Sequence, residues 1–332
     1  MECVQVERKS VYLFYAQIIV VSLCLLAART ESSPLSENTY LNAVELLTTF
    51  SGERAEQYEP FFQFSDETRI VSVEIHAVGT DNTDARYYSG TEVWKQMNNI
   101  LRIKTADGFE GTSGVVSEHQ GEFSDEHLLE LQSVTADLLG LRSLDPVEVG
   151  AMLERTKPDL SDAARANIDI ALWDLAARRA GLPLYELLGA KRDSIEPYAS
   201  LPFYDSLPEY VEAVNDYAKL GYRIFKFHVW GLIEEDSKLV KLIQQTFADS
   251  PYRFMIDLEG AYGFEDALRL GGEMDEGLFI WLEGPIDDEL LEQYRELRSK
   301  LTLPIIPAGY NIYSSEFIRQ GIKTGSWDAG RF

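Results

Sequence analysis

Cysteine is nearly absent: of 332 residues only Cys3 and Cys24 are cysteines, and both lie near the start. A disulfide-stapled domain is therefore excluded. Basic residues are also scarce, 30 Lys and Arg against 55 Asp and Glu, for a formal net charge of −25. Such an exterior repels a phosphate backbone or an anionic membrane surface, so nucleic acid is not expected as a partner. The acidity reads instead as solubility, or as adaptation to a salty environment that screens surface charge. Long apolar runs are missing but for one, Val11 to Ala28, interrupted by Gln17 and Ser22 and preceded by Arg8 and Lys9. Residues 1–30 thus have the form of a signal peptide or a membrane anchor, which implies a secreted, periplasmic or membrane-anchored protein. A start codon assigned too far upstream is the alternative, and it would leave the protein cytoplasmic.

Core material is plentiful. Hydrophobic residues make up 45% and aromatics 11%, which rules out disorder for the bulk of the chain. Residues 31–66 are polar with scattered aromatics at Tyr58, Phe61, Phe62 and Phe64, and read as a linker with a short helix at Tyr40 to Phe50. From Arg69 to Val78 the residues alternate as in a strand, and Ile100 to Thr105 and Phe109 to Val116 read as two more, joined by a turn at Asp107-Gly108. His76, alone on the first of these, reads as structural. Helical periodicity follows at Asp125 to Leu139, at Asp145 to Leu153, and from an N-cap at Ser161 to Arg179, where Gly181 and Pro183 end the helix. Strands followed by helices make residues 67–191 an α+β domain.

From 192 to 332 the rhythm changes to strand, helix, strand. Strands are expected at Ile195 to Leu201, Arg223 to Trp230, Phe254 to Gly260, Phe279 to Glu283 and Leu303 to Ala308. Helices fill the gaps at Leu207 to Leu220, Glu234 to Phe247, Phe264 to Met274 and Glu289 to Leu301. This alternation is the signature of an α/β barrel of parallel strands, in which the carboxyl ends of the strands carry the chemistry.

The second of these strands, RIFKFHVWG, places Lys226 and His228 on one face by its period of two. The next reads RFMIDLEG, with Asp257 and Glu259 on a shared face, and the one after it FIWLEGP, with Glu283. Successive parallel strands bring equivalent points together, so these side chains are expected to converge on one rim. Gathered carboxylates suit Mg²⁺, which takes a few of them together with water and substrate oxygens. Spacing alone leaves open a set of unrelated polar strand ends, because barrel mouths are polar in any case.

Several motifs occur here in one order: the hairpin TADGFEGTSG, the helix ARANIDIALWDLAARRAGLPLYELLGA, Lys226-Phe227-His228, Asp257, and Glu283 in WLEGP. With them the chain resembles the enolase superfamily, specifically its mandelate racemase and muconate-lactonizing group, from about Glu67 to Phe332. The resemblance implies an α+β capping domain (67–191) followed by a TIM-type (β/α)₇β barrel (192–332). The barrel is expected to be incomplete, since the sequence stops where a sixth strand would begin. An open sheet edge of that kind is expected to be poorly stable alone.

The resemblance also implies a chemistry: removal of the proton next to a carboxylate, with Mg²⁺ as cofactor. Lys226 then matches the partner of the substrate carboxylate, His228 the base, and Asp257 and Glu283 the metal ligands. The family's third metal carboxylate would fall at Tyr310 in PAGYNIY, and a phenol is a poor Mg²⁺ ligand at neutral pH. Either two carboxylates and more water hold the ion, or Glu259 compensates, or the site has lost its metal. Glu259 reads equally well as a solvated rim carboxylate. An acid-sugar dehydratase acting on a small carboxylate is the leading expectation, with homo-oligomeric assembly. A racemase, an epimerase, a cycloisomerase or a non-catalytic remnant are the alternatives.

Overall fold

The structure is a computed structural model that describes residues 69–79, 94–120, 126–139, 141, 145–189, 192–274, 276–309 and 315–330. The run Val11 to Ala28, the helix expected at Tyr40 to Phe50, and Tyr310 lie outside them. Among the described residues no helix is long and apolar enough to cross a membrane. The chain divides into two compact units, with the break between Ile195 and Glu196.

In the first unit, strands β1 (Ile70–Gly79), β2 (Trp94–Thr105) and β3 (Glu110–Gln120) form an antiparallel sheet in chain order. The tip of the β2–β3 hairpin closes through Gly108 N donating to Thr105 O, and Gly108 takes a φ of +89° that side chains rarely adopt. Alternation decides the faces: Val73, Ile75 and Ala77 are buried, as are Leu101 and Ile103 opposite them. Helices α1 (Glu126–Leu139), α2 (Pro146–Thr156), α3 (Asp162–Ala180) and the short α4 (Leu184–Leu187) supply the rest of this core. Ser161 caps α3 by accepting from Ala164 N at 3.2 Å, and Gly181 ends it in the left-handed region. Gly111 lets β3 lie against α3: a Cβ there would stand 2.1 Å from the Ala171 carbonyl oxygen.

The second unit is the parallel α/β fold that the strand–helix rhythm predicts, of the TIM-barrel type. Strands β4 (Ala199–Leu201), β5 (Ile224–His228), β6 (Arg253–Asp257), β7 (Phe279–Glu283) and β8 (Ile305–Ile306) pair in parallel and in chain order. Between and after them lie α5 (Leu207–Lys219), α6 (Ile233–Phe247), α7 (Phe264–Glu273), α8 (Leu291–Lys300) and α9 (Ser315–Thr324). The first and last strands are shorter than the sequence predicts. Ile195 is half exposed, and Pro197 has no N–H for a ladder. One sheet face buries Phe225, Phe227, Phe254 and Ile256 in a large apolar core that includes Leu239, Ile243, Leu270 and Tyr294 from the helices. Its rings stack, with Phe227 and Phe254 5.6 Å apart. On the other face Met255, Trp281 and Ile306 make a small apolar cluster, and the site stands above it.

Candidate active site

Register places the titratable groups. His228 pairs with Asp257 and Asp257 with Glu283, so the last residues of three neighbouring strands form one row. Lys226 lies two residues before His228, in a row with Met255 and Trp281. Period-two alternation turns all of these to the face away from the helices. Lys226, His228, Asp257 and Glu283 are each at most 3% exposed, so the polar row is closed off from solvent.

The Lys226 ammonium donates to Asp257 Oδ2 at 2.6 Å and to Glu283 Oε1 at 3.1 Å, and stands 6.0 Å from the centre of the Tyr198 ring. Trp281 Nε1 donates to the other Glu283 oxygen at 3.2 Å. The imidazole of His228 is held from below, with Nδ1 2.7 Å from the Leu201 carbonyl oxygen. A carbonyl can only accept, so Nδ1 carries the proton there and donates it. Nε2 is thereby aimed at Asp257 Oδ2, 3.5 Å away, and at Glu259 Oε1, 3.2 Å away. Tyr210 fixes the backbone below by donating its hydroxyl to the His228 carbonyl at 2.7 Å.

Glu259 reaches the cluster differently from its sequence reading. Strand β6 ends at Asp257, and Glu259 lies in the turn beyond it with a φ of +53°. A left-handed turn, not strand alternation, brings its carboxylate back over the row. Its backbone N–H donates to Asp257 Oδ1 at 3.2 Å. The side chain is 7% exposed, which removes the reading of a solvated rim carboxylate. His76, by contrast, is about a third exposed beside Glu74 and takes no part.

Two acids that sequence reasoning missed shape the loops above the row. Asp236, fully buried in the first turn of α6, accepts from Trp230 N and Leu232 N, both at 2.9 Å, and from the Tyr262 hydroxyl at 2.6 Å. It ties the segment after β5 to the one after β6. Burial pushes its pKa up to about 6, against its hydrogen bonds, which favour the ionised form. Asp288 accepts from Ala308 N and Gly309 N, both at 2.8 Å, and from the Tyr294 hydroxyl at 3.2 Å, so it holds the backbone after β8. Each stands near the start of a helix, the only signal available, and a faint one among 55 acidic residues.

Residues 70–189 match the family described as Mandelate racemase / muconate lactonizing enzyme, N-terminal domain, and residues 209–330 match the one described as Enolase C-terminal domain-like. The chain belongs to the enolase superfamily, in its mandelate racemase and muconate lactonizing group. A crystal structure of a candidate member of this group from Pseudovibrio sp. superposes with a TM-score of 0.76 at 30% identity, covering 80% of this chain and 71% of that one. L-talarate/galactarate dehydratase of Salmonella typhimurium (strain LT2) is 30% identical over 216 residues, 62% of this chain and 53% of that protein. A structure of that dehydratase, liganded with Mg and L-lyxarohydroxamate, has a TM-score of 0.69 at 24% identity over 80% of this chain and 71% of its own. The chain spans about half the length of the curated relatives it matches.

The donor set fits a divalent cation. Among the described residues, the carboxylates Asp257 and Glu283 meet the Lys226 ammonium and the carboxylate of Glu259 meets His228, so acids outnumber bases in a cluster whose side chains are at most 7% exposed. An excess of acidic over basic groups in a buried cluster suits a doubly charged ion. Donor atoms of His228, Asp257 and Glu259 lie within 4.8 Å of one another, close enough to share such an ion.

Proposed function

We propose that the protein removes the proton adjacent to a carboxylate, acting as an acid-sugar dehydratase. The observation that carries the reading is the buried row His228, Asp257 and Glu283, with Lys226 one layer beneath. His228 is the base: donation from Nδ1 to Leu201 O orients the ring so that Nε2 is the atom that takes the α-proton. The nearby Glu259 carboxylate stabilises the imidazolium that results. Lys226 offers its positive charge to the substrate carboxylate, and Asp257 and Glu283 are the residues that would hold Mg²⁺. The ion supplies the electrophile that offsets the charge building on the substrate as the proton leaves.

Dehydration follows if the β-hydroxyl departs. The proton from the α carbon and the hydroxyl from the β carbon together make water, and the enol left behind becomes a 2-keto-3-deoxy acid. The dehydratase among the relatives favours this over racemisation or cyclisation. A non-catalytic relative is the rival reading, and one contact favours it: Lys226 already bridges Asp257 and Glu283 and so supplies a cation of its own.

Incubation with a panel of aldonic and aldaric acids in D₂O with Mg²⁺ separates these readings. A 2-keto-3-deoxy product with solvent deuterium at C3, taken up when the enol becomes the ketone, is the expected outcome. Exchange without elimination makes the protein a racemase or epimerase. Neither exchange nor product with any acid would sink the proposal in favour of the non-catalytic relative. Replacing His228 by Gln is expected to lower turnover by about 10²- to 10⁴-fold.

A further inference from the structure

The buried rim holds one carboxylate oxygen that the reaction above does not use. Glu259 has a side chain only 7% exposed, and its Oε2 is buried with no hydrogen-bond partner. Its other oxygen lies 3.2 Å from His228 Nε2. Buried carboxylate oxygens are not left unpartnered without cost.

The backbone is bent to put it there. Among the described residues Glu259 is the one non-glycine with a positive φ, and its N–H closes onto Asp257 Oδ1. Gly260, with a φ of +76°, continues the turn, and its N–H donates to Gly284 O at 2.7 Å. The turn is therefore pinned to the end of β7 next to Glu283 and does not swing out to solvent. The family resemblance implies a third metal carboxylate at position 310, where this sequence has Tyr310.

We propose that Glu259 supplies the third carboxylate of the divalent-cation site, with Asp257 and Glu283, in place of a ligand from the strand after Leu303. This deepens the proposed function and rests on its cation. The unpartnered Oε2, the burial of the Glu259 side chain, and the place of a Glu259 carboxylate oxygen within 4.8 Å of donor atoms of Asp257 and His228 all follow from such a role. A hard cation that prefers oxygen takes an unbonded carboxylate oxygen more readily than a phenol that keeps its proton at neutral pH.

The test is cation binding, read without turnover. Mn²⁺, followed by its electron paramagnetic resonance signal, and Mg²⁺, followed by calorimetry, are titrated into the purified chain and into its Glu259→Gln and Tyr310→Phe variants. Glu259→Gln is expected to weaken binding by at least about tenfold, and Tyr310→Phe to leave it within about twofold. Glu259→Gln binding as tightly as the unaltered chain overturns the inference and leaves the proposed function standing. So does a loss in Tyr310→Phe equal to that in Glu259→Gln. No binding by the unaltered chain removes both the inference and the cation of the proposed reaction. Should Glu259→Gln fail to fold, Glu259→Asp, which keeps the charge but shortens the reach, carries the same expectation of weaker binding.

Discussion

Two charged clusters in this molecule use nearly the same residue types to opposite ends. On the open face of the three-stranded sheet, Glu74 contacts Lys104 at 2.7 Å, Arg102 at 3.5 Å and His76 at 3.5 Å, and Arg102 also pairs with Glu110. Two cations meet two carboxylates there, and each side chain is about a third exposed. On the parallel sheet, one lysine and one histidine meet three carboxylates, all of them buried. The first arrangement is balanced and bathed in water, so each pair adds little and needs nothing more. The second is out of balance and dry. The acid-rich, buried cluster is the one for which a divalent cation is proposed. Burial and charge imbalance, more than the list of residue types, separate a functional site from a surface ion-pair network.

The largest effect that could break this contrast is expected at Lys226. Lys226→Met removes the ammonium that bridges Asp257 and Glu283 and should cost about 3–5 kcal/mol of stability, measured by urea unfolding without divalent cations. A cost below about 1 kcal/mol would place the rim in the same class as the surface network. Next comes Asp236, whose pKa is raised from 3.8 to about 6 by burial. The folded state prefers its protonated form, so that contribution is present below about pH 4 and is lost as the pH rises through about 6. The shift corresponds to about 3 kcal/mol. Unfolding measured across this range should show the loss in the native chain and a flatter profile in Asp236→Asn; parallel profiles would remove Asp236 as the cause. The smallest change is expected in the exposed network. Lys104→Met should alter stability by well under about 1 kcal/mol, and still less in high salt. A loss above about 2 kcal/mol would erase the distinction between the clusters.

Much of this was legible in the sequence, and the illegible part has a physical pattern. Period-two alternation around Lys226 and His228, and the acids ending two successive strands, locate the row because a parallel sheet repeats its geometry from strand to strand. The helix from Ser161 to Gly181 was readable because its two caps are local in sequence. Glu259 was not readable as a buried group, because its position depends on a left-handed turn at a residue type that rarely adopts one. Asp236 and Asp288 were invisible for a related reason: their partners are backbone N–H groups of loops and tyrosine hydroxyls from other segments, which have no local sequence signature. The edge strands β4 and β8 came out shorter than expected, since the length of a strand depends on its neighbours as well as on its own residues.

The hydrogen bond from Trp281 to Glu283 gives the rim a built-in optical reporter. The indole is 5% exposed and bonded through its N–H to a carboxylate assigned to the cation, so its emission depends on the charge that this carboxylate carries. Arrival of a divalent ion at Glu283 should alter the protein's intrinsic fluorescence, and Trp281→Phe should abolish that change while the ion still binds. Occupancy of the site can then be followed in real time on unlabelled protein, before any substrate is known.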